Sequence, residues 1–126
     1  MFLGLEHTGI ASPDPDRLTQ WYVDVLGYVV NYHNPVSKTS FVKAANGSMF
    51  EIIAADGERA PATLKTPGLR HLAITVDDFP NDYAKLKAAG VEFINEPQVS
   101  GGNSVVFFKD PDGNILHLIE RTKPLP

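Results

Sequence analysis

The sequence contains no cysteine, so neither disulfide bridges nor thiolate-held metal sites are open to it. No apolar run approaches the roughly 18 residues that a membrane-crossing helix needs. The opening, Met1-Phe-Leu-Gly-Leu-Glu-His7, lacks the basic start and long apolar segment of a signal peptide, so the expected location is the cytoplasm. There is no basic stretch either. Lys and Arg are scattered singly or in loose pairs and the formal net charge is −4, which argues against nucleic acid as a partner. With 126 residues, 43% hydrophobic and 21% charged, the remainder is an ordinary globular composition of single-domain length. Any metal in such a chain has to be held by imidazole and carboxylate.

What the chain does have is an internal repeat with a period of about 65 residues. Glu6-His-Thr-Gly-Ile-Ala-Ser12 resembles Arg70-His-Leu-Ala-Ile-Thr-Val76, which places His7 and His71 64 positions apart. Met49-Phe-Glu-Ile-Ile-Ala54 resembles Ile115-Leu-His-Leu-Ile-Glu120, which places Glu51 and His117 66 positions apart. Each half opens with a strand pattern, 5–12 and 69–76, and continues into a helix. In the first half Asp14 suits the N-cap and Pro15 the first helical position. Leu18, Trp21, Tyr22, Val25 and Leu26 follow the stripe of a packed helix, which Gly27 ends. In the second half Asp77 or Asp78 starts the helix, Phe79, Tyr83 and Leu86 form a thinner stripe, and Gly90 stops it. Three strand-like runs follow each helix, at 28–34, 39–45 and 48–54, then at 91–96, 103–109 and 114–121. Asn46-Gly47 and Asp112-Gly113 supply turns before the last strand of each half.

The expected fold is therefore α+β. Two βαβββ modules, about 5–55 and 69–121, build one domain over residues 1–126. An Ala-, Pro- and Gly-rich linker from roughly Asp56 to Gly68 joins them. One helix covers one face of each sheet, so the other face requires the second module or a second subunit as its cover.

Strand side chains alternate between faces, and this sorts the candidate ligands. His7 shares a face with Gly9 and Ala11, and His71 with Ala73 and Thr75. Small neighbours leave volume beside each imidazole, as a site requires. Glu51 shares a face with Met49 and Ile53, and His117 with Ile115 and Ile119. Glu120, three residues from His117, falls on the opposite face and is excluded. A carboxylate and an imidazole in such apolar runs are costly when buried unpaired, and a bound metal offsets that cost. Of the four histidines in the chain, three occupy these places and only His33 does not, which marks it as a rim or surface residue. The expected site is one divalent metal ion, Zn, Ni, Co, Fe or Mn, held by His7, Glu51, His71 and His117.

Glu6-His7-Thr8-Gly9-Ile10, Trp21-Tyr22-Val23-Asp24-Val25-Leu26-Gly27, Arg70-His71-Leu72-Ala73-Ile74 and Phe108-Lys109-Asp110-Pro111-Asp112-Gly113-Asn114 together, in this order, resemble the vicinal oxygen chelate superfamily. That superfamily includes glyoxalase I, methylmalonyl-CoA epimerase, fosfomycin-resistance proteins, extradiol dioxygenases and the metal-free bleomycin-resistance proteins. In glyoxalase I the metal residues fall on the first, fourth, fifth and eighth strands, which are the places of His7, Glu51, His71 and His117 here. The first three have the types expected of a bacterial-like glyoxalase I. At the fourth the family usually has Glu, a proposed proton shuttle, and this chain has His117. The resemblance implies a metal-dependent glyoxalase-like lyase or isomerase acting on a small substrate with neighbouring carbonyl and hydroxyl oxygens. With His117 in the shuttle's place, Glu51 is the expected catalytic base. Two further readings are an Fe(II)-dependent ring-cleaving dioxygenase and a resistance protein that sequesters its ligand without turnover. A homodimer is expected, with no nucleic-acid or membrane partner. In the family the modules pair within or across chains.

Overall fold

Asp14 and Asp78 open the two helices of the computed structural model, which describes residues 1–126. The Asp14 carboxylate accepts the backbone N–H of Arg17 at 3.2 Å, with Pro15 in the first turn of α1 (Pro15–Asp24). The Asp78 carboxylate accepts that of Asn81 at 3.3 Å at the head of α2 (Phe79–Ala88), so Asp78 rather than Asp77 is the cap. Each cap satisfies a donor that the helix itself leaves free. At the other ends, Tyr28 N–H returns to the Tyr22 carbonyl at 3.1 Å and Val91 N–H to that of Leu86 at 3.2 Å. Gly27 (φ 74°) and Gly90 (φ 75°) make the left-handed step that these closures require, at no steric cost to glycine.

The chain divides into two units, Met1–Arg59 and Ala60–Pro126, with the boundary inside the expected linker. The first unit holds β1 (Thr8–Ser12), β2 (Val29–His33), β3 (Ser40–Lys43) and β4 (Met49–Ala54) in the order β1-β4-β3-β2. β1 runs parallel to β4 and the other neighbours are antiparallel. The second unit holds β5 (Leu72–Thr75), β6 (Glu92–Phe93), β7 (Gln98–Ser100), β8 (Asn103–Lys109) and β9 (Ile115–Arg121). Its order is β5-β9-β8-β6, with β7 also on β8 and β5 parallel to β9.

In each unit the helix and alternate strand residues form the core. In the first, Leu18 and Tyr22 of α1 are buried along with Ile10, Val42, Phe50 and Ile52. The Tyr22 ring meets those of Tyr28 and Phe50 edge-on. In the second, Phe79 and Leu86 of α2 are buried along with Val106, Phe108, Leu116 and Leu118. Glu51 in β4 and His117 in β9 lie on the faces opposite these residues.

Two departures from the expected elements have local causes. β1 begins at Thr8 and β5 at Leu72, three residues later than the patterns at 5 and 69. Their partners start at Met49 and Ile115, directly after turns, so nothing lies alongside for an earlier start to pair with. His7 and His71 consequently stand just ahead of their strands. The expected single strand at 91–96 is instead the short β6, with β7 following after Pro97. The Asn95 side-chain oxygen takes the N–H of Phe107 at 2.9 Å, displacing a backbone acceptor, and Pro97 has no N–H to offer the ladder. The counterpart β2 stays continuous, with an irregularity between Val30 and Tyr32. No helix is long and apolar enough to cross a membrane.

Candidate metal centre

In the first unit the strand pleat separates two kinds of residue. Ile10 and Ser12 are buried, whereas Gly9 and Ala11 on the other side of β1 are exposed. Gly9 pairs with Glu51, so the carboxylate lies beside a residue without a side chain. His7 Nε2 stands 3.7 Å from Glu51 Oε1, with side chains 37% and 29% exposed. The other ring nitrogen, Nδ1, meets the Glu6 carboxylate. A carboxylate only accepts, so Nδ1 carries the proton of that bond. Nε2 is the ring nitrogen turned toward Glu51, and at 3.7 Å the two atoms lie beyond hydrogen-bond distance. Two donors each about 2 Å from a shared ion stand roughly 3 to 3.5 Å apart, close to the separation found.

In the second unit the rings of His71 and His117 are 4.9 Å apart between centroids and tilted by 59°. Ala73 pairs with His117 as Gly9 does with Glu51, so again a small residue flanks the closing ligand. His117 is 9% exposed. Burial holds its pKa below the ordinary histidine value, with His71 and Arg121 adding to the effect against an opposing hydrogen bond to the Leu118 carbonyl. At neutral pH the ring is therefore uncharged. Nδ1 donates to that carbonyl at 3.2 Å, which leaves Nε2 with its lone pair free. A backbone carbonyl on one imidazole nitrogen and a free lone pair on the other is a usual setting for a metal-ligating histidine. Imidazole nitrogen and carboxylate oxygen, the donors within each pair, are types that divalent first-row metals accept.

Each unit thus brings together its own two expected residues, His7 with Glu51 and His71 with His117. Neither unit by itself gathers three or more potential metal-holding side chains. Glu120 lies on the helix side of β9 as expected. Its carboxylate accepts the Phe79 N–H at 2.7 Å, placing negative charge at the start of α2. His33 lies in β2 and is engaged by the Ser40 hydroxyl at 2.8 Å.

Three neighbours of these pairs escaped the sequence reading. Glu6 holds His7, and the rings of Phe41 and Phe107 stand edge-on to His7 and His71. Phe41 and Phe107 lie 66 positions apart, the same offset as Glu51 and His117, so following the repeat into the penultimate strand would have found them.

The family model for the Glyoxalase/Bleomycin resistance protein/Dioxygenase superfamily matches residues 4–118. The chain is similar to biphenyl-2,3-diol 1,2-dioxygenase 3 of Rhodococcus globerulus, with 32% identity over 120 residues. That match covers 90% of this chain but 61% of the relative, so the chain spans about three fifths of its length. It is similar to a probable lactoylglutathione lyase of Vibrio cholerae, with 30% identity over 127 residues covering 90% of this chain and 88% of the relative. Among solved structures, a glyoxalase family protein from Enterococcus faecalis superposes with a TM-score of 0.76 at 30% identity, over 94% of this chain and 98% of the other.

Proposed function

The chain belongs to the Glyoxalase/Bleomycin resistance protein/Dioxygenase superfamily, and from that membership we propose that it is a divalent-metal-dependent lyase or isomerase of the glyoxalase type. Its substrate is a small molecule with neighbouring carbonyl and hydroxyl oxygens. The ion is shared by the two pairs His7–Glu51 and His71–His117, brought together within one chain or across two copies. The observation that carries this reading is the repetition itself: both units set a pair of potential ligands at the same place, beside a small residue and away from the helix.

Bound there, the ion supplies a Lewis acid for two neighbouring substrate oxygens. The chain's own residues do the rest. His117, uncharged, offers a nitrogen lone pair without first losing a proton. Glu51 is the carboxylate available to take a proton from the carbon beside the substrate carbonyl. The direct test is the metal content of protein purified without added metal, followed by titration with Zn, Ni, Co, Fe(II) and Mn.

A second reading, an Fe(II)-dependent ring-cleaving dioxygenase, is favoured by the 32% identity to the Rhodococcus enzyme. Oxygen uptake on adding a catechol to Fe(II)-loaded protein would select it over the first. Ligand sequestering without turnover needs no metal, and the repeated ligand pairs speak against it.

Glu6 contributes to the proposed site by orienting His7. Partners of this kind typically change metal affinity by about 10- to 100-fold when removed. Glu6→Ala is therefore expected to weaken metal binding by about that factor in competition with a chelator. Glu6→Gln, which still offers an oxygen to Nδ1–H, should lose less. At 69% exposure the Glu6 carboxylate adds little to folding, so thermal unfolding of the metal-free variants should match that of the wild type.

The assembly proposed is a homodimer. In each unit the sheet face opposite the helix carries residues such as Ile53 and Ile119 that a single helix does not cover. Sedimentation at micromolar concentration is expected to give twice the chain mass, and the mass of one chain would refute the dimer.

A further inference from the structure

Burial sorts the cations of the second unit. Lys65, Lys85, Lys87, Arg121 and Lys123 are exposed, where water satisfies them. Lys109 and Arg70 are half-buried. Lys109 meets the Glu92 carboxylate at 3.2 Å. Arg70 forms no ion pair, and its Nε is buried without a hydrogen-bond partner. The guanidinium rests instead on Gly68. A Cβ added there would stand 2.8 Å from Nη2, 3.7 Å from Cζ and 3.8 Å from Nε, so the pose depends on the missing side chain.

A guanidinium is permanently charged and carries five N–H donors in one plane. Drawing it partly out of water without a counter-charge costs free energy, and so does a buried donor left unmade. Glu92 removes the first cost for Lys109, and the chain supplies no equivalent for Arg70. We infer that Arg70 anchors an oxyanion site: the side chain lifts off Gly68 and takes two oxygens of a carboxylate or of a tetrahedral oxyanion on Nε–H and one Nη–H. Those two parallel donors match the spacing of two oxygens on one centre, which an ammonium group does not. The site goes beyond the metal reading and does not depend on it, because Gly68 and Arg70 belong to one unit and no metal ligand takes part.

Sodium sulfate, for tetrahedral oxyanions, and sodium acetate, for carboxylates, are titrated separately into the full chain at constant ionic strength. The readout is the proton–nitrogen correlation signal of Arg70 Nε–H, assigned by its loss in Arg70→Lys. A saturable shift with at least one of the two anions is expected, and the anion that gives it names the class. Calorimetry should show binding about tenfold weaker in Arg70→Lys, which keeps the charge but loses the fork, and none in Arg70→Gln. Gly68→Ala closes the resting place, so more of the protein is ready to bind and the affinity should rise by about two- to tenfold. Alanine at φ 119° is strained, so that variant is first checked by thermal unfolding, and Arg70→Lys carries the test if it does not fold. No saturable shift with either anion overturns the inference. So does binding that survives undiminished in Arg70→Gln. Weaker binding in a folded Gly68→Ala variant overturns the release from Gly68.

Discussion

Protein carrying His71→Ala is expected to come through purification without metal, and the wild type is expected to carry one divalent ion per site. His71 stands just before β5, its side chain exposed and its ring near those of His117 and Phe107. It contributes little to the core, so the substitution removes a ligand without undoing the fold. Losing an orienting partner costs about 10- to 100-fold in affinity, and losing a ligand costs more than about 100-fold. Elemental analysis gives the stoichiometry and chelator competition gives the affinity. A third measurement is independent of both. An ion that binds only the folded state raises its stability by RT ln(1 + [L]/Kd), so added metal should raise the unfolding temperature of the wild type but not of His71→Ala. Wild-type protein that contains no metal and takes none up would remove the enzyme reading and make ligand sequestering the leading account.

The positions of the four candidate ligands were legible because they repeat. Strand periodicity and a period of about 65 residues put each of them away from the helix; Glu51 and His117 lie so in β4 and β9, whereas His7 and His71 stand just ahead of β1 and β5 and meet them from there. The same periodicity assigned Glu120 to the helix side, where it holds the start of α2. The capping aspartates and closing glycines were equally visible, since each answers a local backbone requirement. What periodicity did not reveal are features set by a single side chain meeting a distant backbone or ring. Asn95 interrupts a strand by taking a backbone N–H twelve residues away. Phe41 and Phe107 look like ordinary strand residues until the register places them opposite Glu51 and His117. Glu6 looks like a surface residue because its partner is only its neighbour, His7.

Glu51→Gln should keep most metal binding and lose nearly all turnover, which separates the two roles that Glu51 has in the proposed reading. The amide oxygen of Gln still coordinates, so the ion remains. The amide cannot accept a proton at neutral pH, and a positioned base contributes about 10²- to 10⁴-fold to such a transfer. In relatives of the glyoxalase I type the resemblance places a carboxylate where this chain has His117. If His117 is a ligand, an uncharged imidazole there would leave the site one negative charge poorer, which would make a bound ion a stronger Lewis acid. It also leaves Glu51 as the one carboxylate in the proposed ligand set. His117→Glu restores the second carboxylate and should move the activity toward that of glyoxalase I. The measurement is hydrogen exchange at the carbon beside the carbonyl, or isomerisation, of a hydroxy-carbonyl substrate, with metal content matched across wild type and both variants. Full activity in Glu51→Gln would assign the proton to another group and leave Glu51 as a ligand or a spectator. Lost activity with lost metal would show instead that the carboxylate is needed to hold the ion. Only lost activity with retained metal identifies Glu51 as the base.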